Sequence, residues 1–187
     1  MEDFYLEKKI EEFREGIFSL NTRRFGKVAE MMIQSLYDFD DSDDISYDLR
    51  SKNGEKIEVK FSRVFKTCGE EINYKNVINS VLESKTENRM ISFDDVEQNT
   101  FDCNIQQVKT RDFKYLYYGC FFKDKILIMK IDSEKIRSDS EILYSDHQHS
   151  GNKGEGQFHV NNKTIKHHID CYFKRWLTYE ELYNLFK

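Results

Sequence analysis

Apolar residues in the N-terminal third recur at helical spacing. Phe4, Ile10, Phe13, Ile17 and Phe18 punctuate a charged run over residues 2–18, the pattern of an amphipathic helix. Asn21 or Thr22 is placed to cap a second helix, in which Phe25, Val28, Ala29, Met32, Ile33 and Leu36 form one stripe with Glu30 beside it. The Asp-rich stretch 38–44 predicts a loop that ends this helix. The period then switches to two in Ile45–Arg50 and again in Lys56–Ser62, with Asn53-Gly54 between them as a hairpin signal. Residues 70–87 predict a helix whose apolar side is Ile72, Tyr74, Val77, Ile78, Val81 and Leu82, and a polar stretch follows. Residues 104–131 read as strand, turn and two more strands. Tyr115–Phe122 and Ile126–Ile131 are near-continuous apolar runs, as in strands covered on both faces. A short helix starts within 133–138, and 142–165 is rich in Gly, Asn, His and Ser with strand-like pieces. Thr178-Tyr-Glu-Glu181 is a capping box that opens a terminal helix through Leu182 and Leu185. The elements predict an α/β chain of the α+β kind in one domain over 1–187.

The hairpin places chemistry on one face. Ile57, Val59 and Phe61 point one way, and Glu58 and Lys60 the other. A two-residue Asn53-Gly54 turn would set Asp48 opposite Val59, on the core face. A three-residue loop, Lys52-Asn53-Gly54 with Gly54 left-handed, sets Asp48 opposite Glu58, Leu49 opposite Ile57, Tyr47 opposite Val59 and Ile45 opposite Phe61. Only this second register keeps every apolar group on one side, so it is the expectation. Two facing carboxylates repel unless a cation joins them or one is protonated. Oxygen donors alone suit Mg²⁺, which binds through one or two carboxylates together with substrate phosphate. Lys60 adds a positive charge that could stabilise a phosphoryl transition state or orient the attacking water.

Charge changes the picture less than its sum suggests. The net charge is −5, but six acidic groups fall within the eleven residues 38–48, leaving the remainder near neutral. No apolar run approaches the length of a membrane span. The first residues, Met-Glu-Asp-Phe-Tyr, lack the basic and apolar parts of a signal peptide, so a cytoplasmic location is expected. Cys68, Cys103, Cys120 and Cys171 form no close pair and read as reduced thiols. His147, His149, His167 and His168 match no zinc spacing. No Walker loop, dinucleotide fingerprint or nucleophile elbow is present.

Asp48, nine residues, then Glu58-Val59-Lys60 resembles the PD-(D/E)xK nuclease motif, with Tyr47 standing where the motif's proline would be. Glu30, in Phe25-Gly-Lys-Val-Ala-Glu30, is similar to the helix glutamate that supports the metal site in those nucleases. The resemblance covers about residues 20–131, and among its members the chain looks most like a type II restriction endonuclease. It implies a restriction-endonuclease-like core at about 20–131, a central mixed sheet flanked by helices, and a Mg²⁺ ion, replaceable by Mn²⁺, held at Asp48, Glu58 and Val59. It further implies catalysis by Asp48, Glu58, Lys60 and Glu30, and cleavage of double-stranded DNA by a homodimer, since two strands must be cut.

Candidate DNA contacts are Arg63 and Lys66 beyond the motif, Gln107 and Lys109 in the next strand, and His149, Asn152, Lys153 and Gln157 in the polar C-terminal segment. Asn, Gln and Lys can read base edges; the same residues read equally as surface charge and a polar loop. Two alternatives stay open: a structure-specific repair or junction nuclease, and a DNA-binding module without catalysis.

Overall fold

The computed structural model describes residues 2–67, 70–147 and 153–187. In chain order it forms α1 (Glu2–Ser19), α2 (Thr22–Tyr37), β1 (Asp40–Asp41), β2 (Leu49–Arg50), β3 (Lys56–Arg63), α3 (Val77–Glu83), α4 (Thr86–Arg89) and β4 (Asp102–Val108). Then follow β5 (Tyr115–Phe121), β6 (Ile126–Asp132), α5 (Ser133–Ser138), β7 (Ser145–His147), β8 (Lys153–Asn161), α6 (Ile165–Tyr172), β9 (Phe173–Leu177) and α7 (Tyr179–Leu185).

Six strands make the central sheet in the order β1-β2-β3-β5-β6-β9, and it is mixed because β3 runs parallel to β5 while the other neighbours are antiparallel. Alternation along the strands serves two cores. Leu49, Ile57, Val59, Tyr117 and Phe121 meet Phe18 of α1, Phe25, Met32 and Ile33 of α2, and Leu182 of α7. Leu116, Tyr118, Cys120 and Met129 face the other way, against Cys103 and Ile105 of β4, Phe158 and Val160 of β8, and Ile165 of α6. Helices therefore cover one face, and a second sheet, β4-β8-β7, covers much of the other. This explains why β5 and β6 are apolar at nearly every position.

Several expected elements are displaced. The segment 142–165 supplies β7 and β8, with Phe158 and Val160 wholly buried, so much of it builds core. The strand at 104–108 belongs to the second sheet, and the acidic loop contains β1, paired to β2. The helix expected over 70–87 is cut to α3 and α4. Before it, Asn73 and Asn76 side chains accept from the backbone N–H groups of Lys75 and Asn73, a local alternative to helical bonds. Ile72, Tyr74, Ile78, Val81 and Leu82 remain exposed. α6 and β9 carry no periodicity strong enough to announce them. The caps at Asn21 and Thr178–Glu181 form as their residues dictate.

His168 on α6 is wholly buried, its Nδ1 2.8 Å from the Tyr118 hydroxyl. Burial lowers its pKa from 6.5 to about 4. The unfolded chain then binds the extra proton first, so stability is full above pH 6.5 and falls as pH drops toward 4. The expected loss from this group is about 3 kcal/mol. Urea melts at pH 7 and pH 4.5 check it; a His168→Gln variant should show a shallower fall over the same window.

Candidate active site

β2 and β3 join through Ser51–Glu55. Ser51 N–H donates to Glu55 O, Gly54 N–H donates to Ser51 O, and Gly54 adopts φ 82°, open to glycine at no steric cost. The register is Leu49 opposite Ile57 and Arg50 opposite Lys56, as the three-residue loop requires.

The hairpin then departs from expectation. Regular pairing stops at Leu49, and Ile45 is fully exposed instead of lying opposite Phe61. Tyr47 does not face Val59 within one core: it packs with Leu116 and Tyr118 on the second-sheet side, whereas Val59 packs with the helices. The cause is local. The Asp44 carboxylate accepts from Ser46 N–H and the Ser42 hydroxyl donates to Asp44 O, which turns the chain away from the ladder. Asp48 sits at the break. Its backbone N–H donates to Ile57 O at 3.0 Å, and its Oδ2 accepts from Val59 N–H at 2.8 Å. A side-chain oxygen thus takes the place of the next ladder carbonyl. In extended backbone the N–H and C=O of one residue point to the same edge. The Val59 carbonyl therefore shares the edge at which Asp48 lies.

Glu58 and Lys60 stand on the second-sheet face, and Glu58 is only 8% exposed. Lys60 Nζ lies 2.5 Å from Glu58 Oε1 and 3.6 Å from Asp48 Oδ2. The two carboxylates consequently share one ammonium, and their oxygens lie no farther apart than those two contacts laid end to end. Burial, reinforced by the Asp48 and Glu30 charges, raises the Glu58 pKa to about 7 against the opposing pull of Lys60. Burial alone would discharge Lys60, but Glu58 and Asp48 outweigh it and hold its pKa above the usual value. Glu30, on α2, is hydrogen-bonded to Lys27 at 2.9 Å, and its field reaches both Glu58 and Lys60. Asp48, Glu58, Lys60 and Glu30 thus form one electrostatic unit.

The donor set fits a hard cation. Its oxygens come from two carboxylates and a backbone carbonyl, the hard donors such an ion takes. Lys60 already occupies the middle of the pair as a resident cation. Among the described residues no three or more His, Cys, Asp or Glu side chains gather at metal-binding spacing, so a metal here would rest on Asp48, Glu58 and the Val59 main chain, with water and substrate completing its shell.

The expected DNA contacts are dispersed. Arg63 donates to the carbonyls of Phe18 and Leu20 and lies over the rings of Phe25 and Phe65, so it ties the end of α1 to β3. Lys66 is exposed and lines one cavity with Arg63. Gln107 is exposed at a bulge with φ 58°, and Lys109 pairs with Glu155 at 3.2 Å. Gln157 accepts from Asn104 Nδ2 at 3.0 Å. His149 and Asn152 lie outside the described residues, as does the side chain of Lys153. Sequence reasoning missed Arg89 and Asn104, which line a cavity beside the cluster; neither belongs to a motif or a periodic stripe. No family model matches the chain, and no curated protein matches it.

Proposed function

We propose that this protein is a Mg²⁺-dependent endonuclease that hydrolyses phosphodiester bonds in double-stranded DNA, with a restriction-endonuclease-like core of the PD-(D/E)xK kind. The observation that carries the reading is the gathering of Asp48 and buried Glu58 around Lys60 where β2 releases the edge of β3. A solvent-facing hairpin with an ordinary ion pair has no reason to bury its glutamate, since burial penalises the charge.

A bound Mg²⁺ supplies Lewis acidity to a phosphoryl oxygen and makes bound water more acidic. The chain's residues do the rest. Lys60, held charged by its two acids, places a positive charge where a pentacovalent phosphate gathers negative charge. Glu58 would hold the ion together with Asp48, and Lys60, set against both acids, is placed to orient the attacking water. Asp48 is pinned by the Val59 N–H, which fixes its carboxylate without side-chain entropy to lose on binding. Glu30 keeps the local field negative until substrate and cation arrive.

A homodimer belongs to the same proposal. The apolar side chains left bare around α3, Ile72, Tyr74, Ile78, Val81 and Leu82, support pairing of two copies through that face. No described helix is long and apolar enough to cross a membrane.

Incubation with supercoiled plasmid tests the function. Cleavage is expected with Mg²⁺ or Mn²⁺ and none with excess EDTA. Discrete fragments mean sequence specificity and a smear means indiscriminate cutting. Intact plasmid under both metals would overturn this reading and leave the structure-specific nuclease and the binding module.

A further inference from the structure

We propose that the cavity along the open edge of β3 is a base pocket that takes one unstacked nucleotide beside the phosphate held at Lys60. The position next to a reacting phosphate rests on the nuclease reading; the pocket itself rests on different observations. The cavity measures about 530 Å³, within the range of small-molecule sites, about 300–1,000 Å³.

Its lining contains two buried polar atoms without a partner: Arg89 Nε, a donor, and Asn104 Oδ1, an acceptor. Asn104 spends its Nδ2 on Gln157 Oε1, so its carbonyl oxygen is the atom left over. Buried groups left unpaired are costly; both atoms are closed to solvent as the side chains stand, and a ligand bringing one acceptor and one donor would satisfy both once Arg89 and Asn104 turn toward the cavity. The edges of nucleobases carry that combination, and they become accessible when a base leaves the stack. The remaining walls are flat and partly apolar. Phe61 lies on one, and the Arg89 guanidinium lies over the Phe65 ring at 5.0 Å on another. Bases stack on aromatic rings and on guanidinium planes. The cavity is also cationic: Arg63, Lys66 and Arg89 line it against a single acid, Asp102, which is engaged by His159 Nδ1 at 2.9 Å. Ser62, another lining residue, shares its strand face with Glu58 and Lys60. Two residues along a strand span about 6.6 Å, so a nucleotide bonded to a phosphate at Lys60 reaches the cavity.

The test compares two labelled hairpin duplexes that differ by one unpaired adenine, with binding read by fluorescence anisotropy in EDTA so that no cleavage intervenes. The wild-type protein should bind the bulged duplex at least about tenfold more tightly than the paired one. Asn104→Leu should lose that preference while keeping its affinity for the paired duplex. Arg89→Lys, which keeps the charge but removes the Nε donor, should lose it too and serves if the first variant does not fold. Equal binding of both duplexes by the wild type, or an unchanged preference in a folded variant, overturns the pocket. The nuclease reading fails separately: a bulge preference that depends on Asn104 and Arg89, without cleavage of plasmid or of the bulged duplex under Mg²⁺ or Mn²⁺, keeps the pocket and removes the enzyme.

Discussion

Lys60→Ala should abolish plasmid cleavage, with a rate loss of about 10²–10³-fold or more, while DNA affinity in EDTA stays within a few-fold of wild type. Lys60 is the cation around which Asp48 and Glu58 are arranged, at 3.6 and 2.5 Å. Alanine leaves two acids at a buried position with no counter-charge, so Glu58 will take up a proton near neutral pH in place of the lost ammonium. The protein then keeps its fold through a neutral carboxyl but has no charge to offer the transition state. Cleavage timed on a gel gives the rate, and anisotropy gives the affinity. A variant that cuts at the wild-type rate would remove the catalytic assignment. A variant that neither cuts nor binds, yet melts normally, would make Lys60 a binding residue instead.

Gly119→Ala should be the most damaging small substitution in the central sheet. A Cβ built at Gly119 lies 1.8 Å from the backbone oxygen of Leu127 and 2.8 Å from the Phe61 ring. The ring could turn aside, but the carbonyl belongs to β6, which is paired to β5 along its whole length. Relief therefore requires the strands to separate. The expected cost is about 3 kcal/mol, the upper end for overpacking a core, which lowers Tm by about 6–12 °C for a chain of this size. The site should suffer as well, since Phe61 follows Lys60 directly and rests on this glycine. Thermal and urea melts read the effect. A melt unchanged within a degree would mean that the sheet yields at Gly119 with little resistance.

The local signals were legible because they rest on interactions within a few residues. Asn21 caps α2, the stripe Phe25, Ala29, Met32 and Ile33 is buried, and Gly54 turns left-handed to place Leu49 opposite Ile57. The candidate site was legible for the same reason: Glu58 and Lys60 are two residues apart on one strand, and the loop length brings Asp48 to them. What failed in the hairpin also has a local cause, but one of competition. Asp44 and Ser42 offer the backbone side-chain partners that beat the ladder for residues 45–47. The period-two pattern there records apolar positions without recording that Tyr47 and Val59 are buried in different cores.

The sequence by itself determined α1 and α2, the caps, the hairpin register as far as Leu49 opposite Ile57, and the identity of the acid–acid–lysine set. All of these follow from spacing and side-chain chemistry along a short stretch of chain. Only the tertiary structure decided that β3 runs parallel to β5, that the polar segment around Phe158 folds back as a second sheet, and that Arg63 serves a helix end. It alone also decided that Arg89 and Asn104 line one cavity. Such placements depend on which residues distant in the chain exclude water together. The burial that raises Glu58 to a pKa near 7 is a property of that assembled surrounding, which no stretch of sequence carries alone.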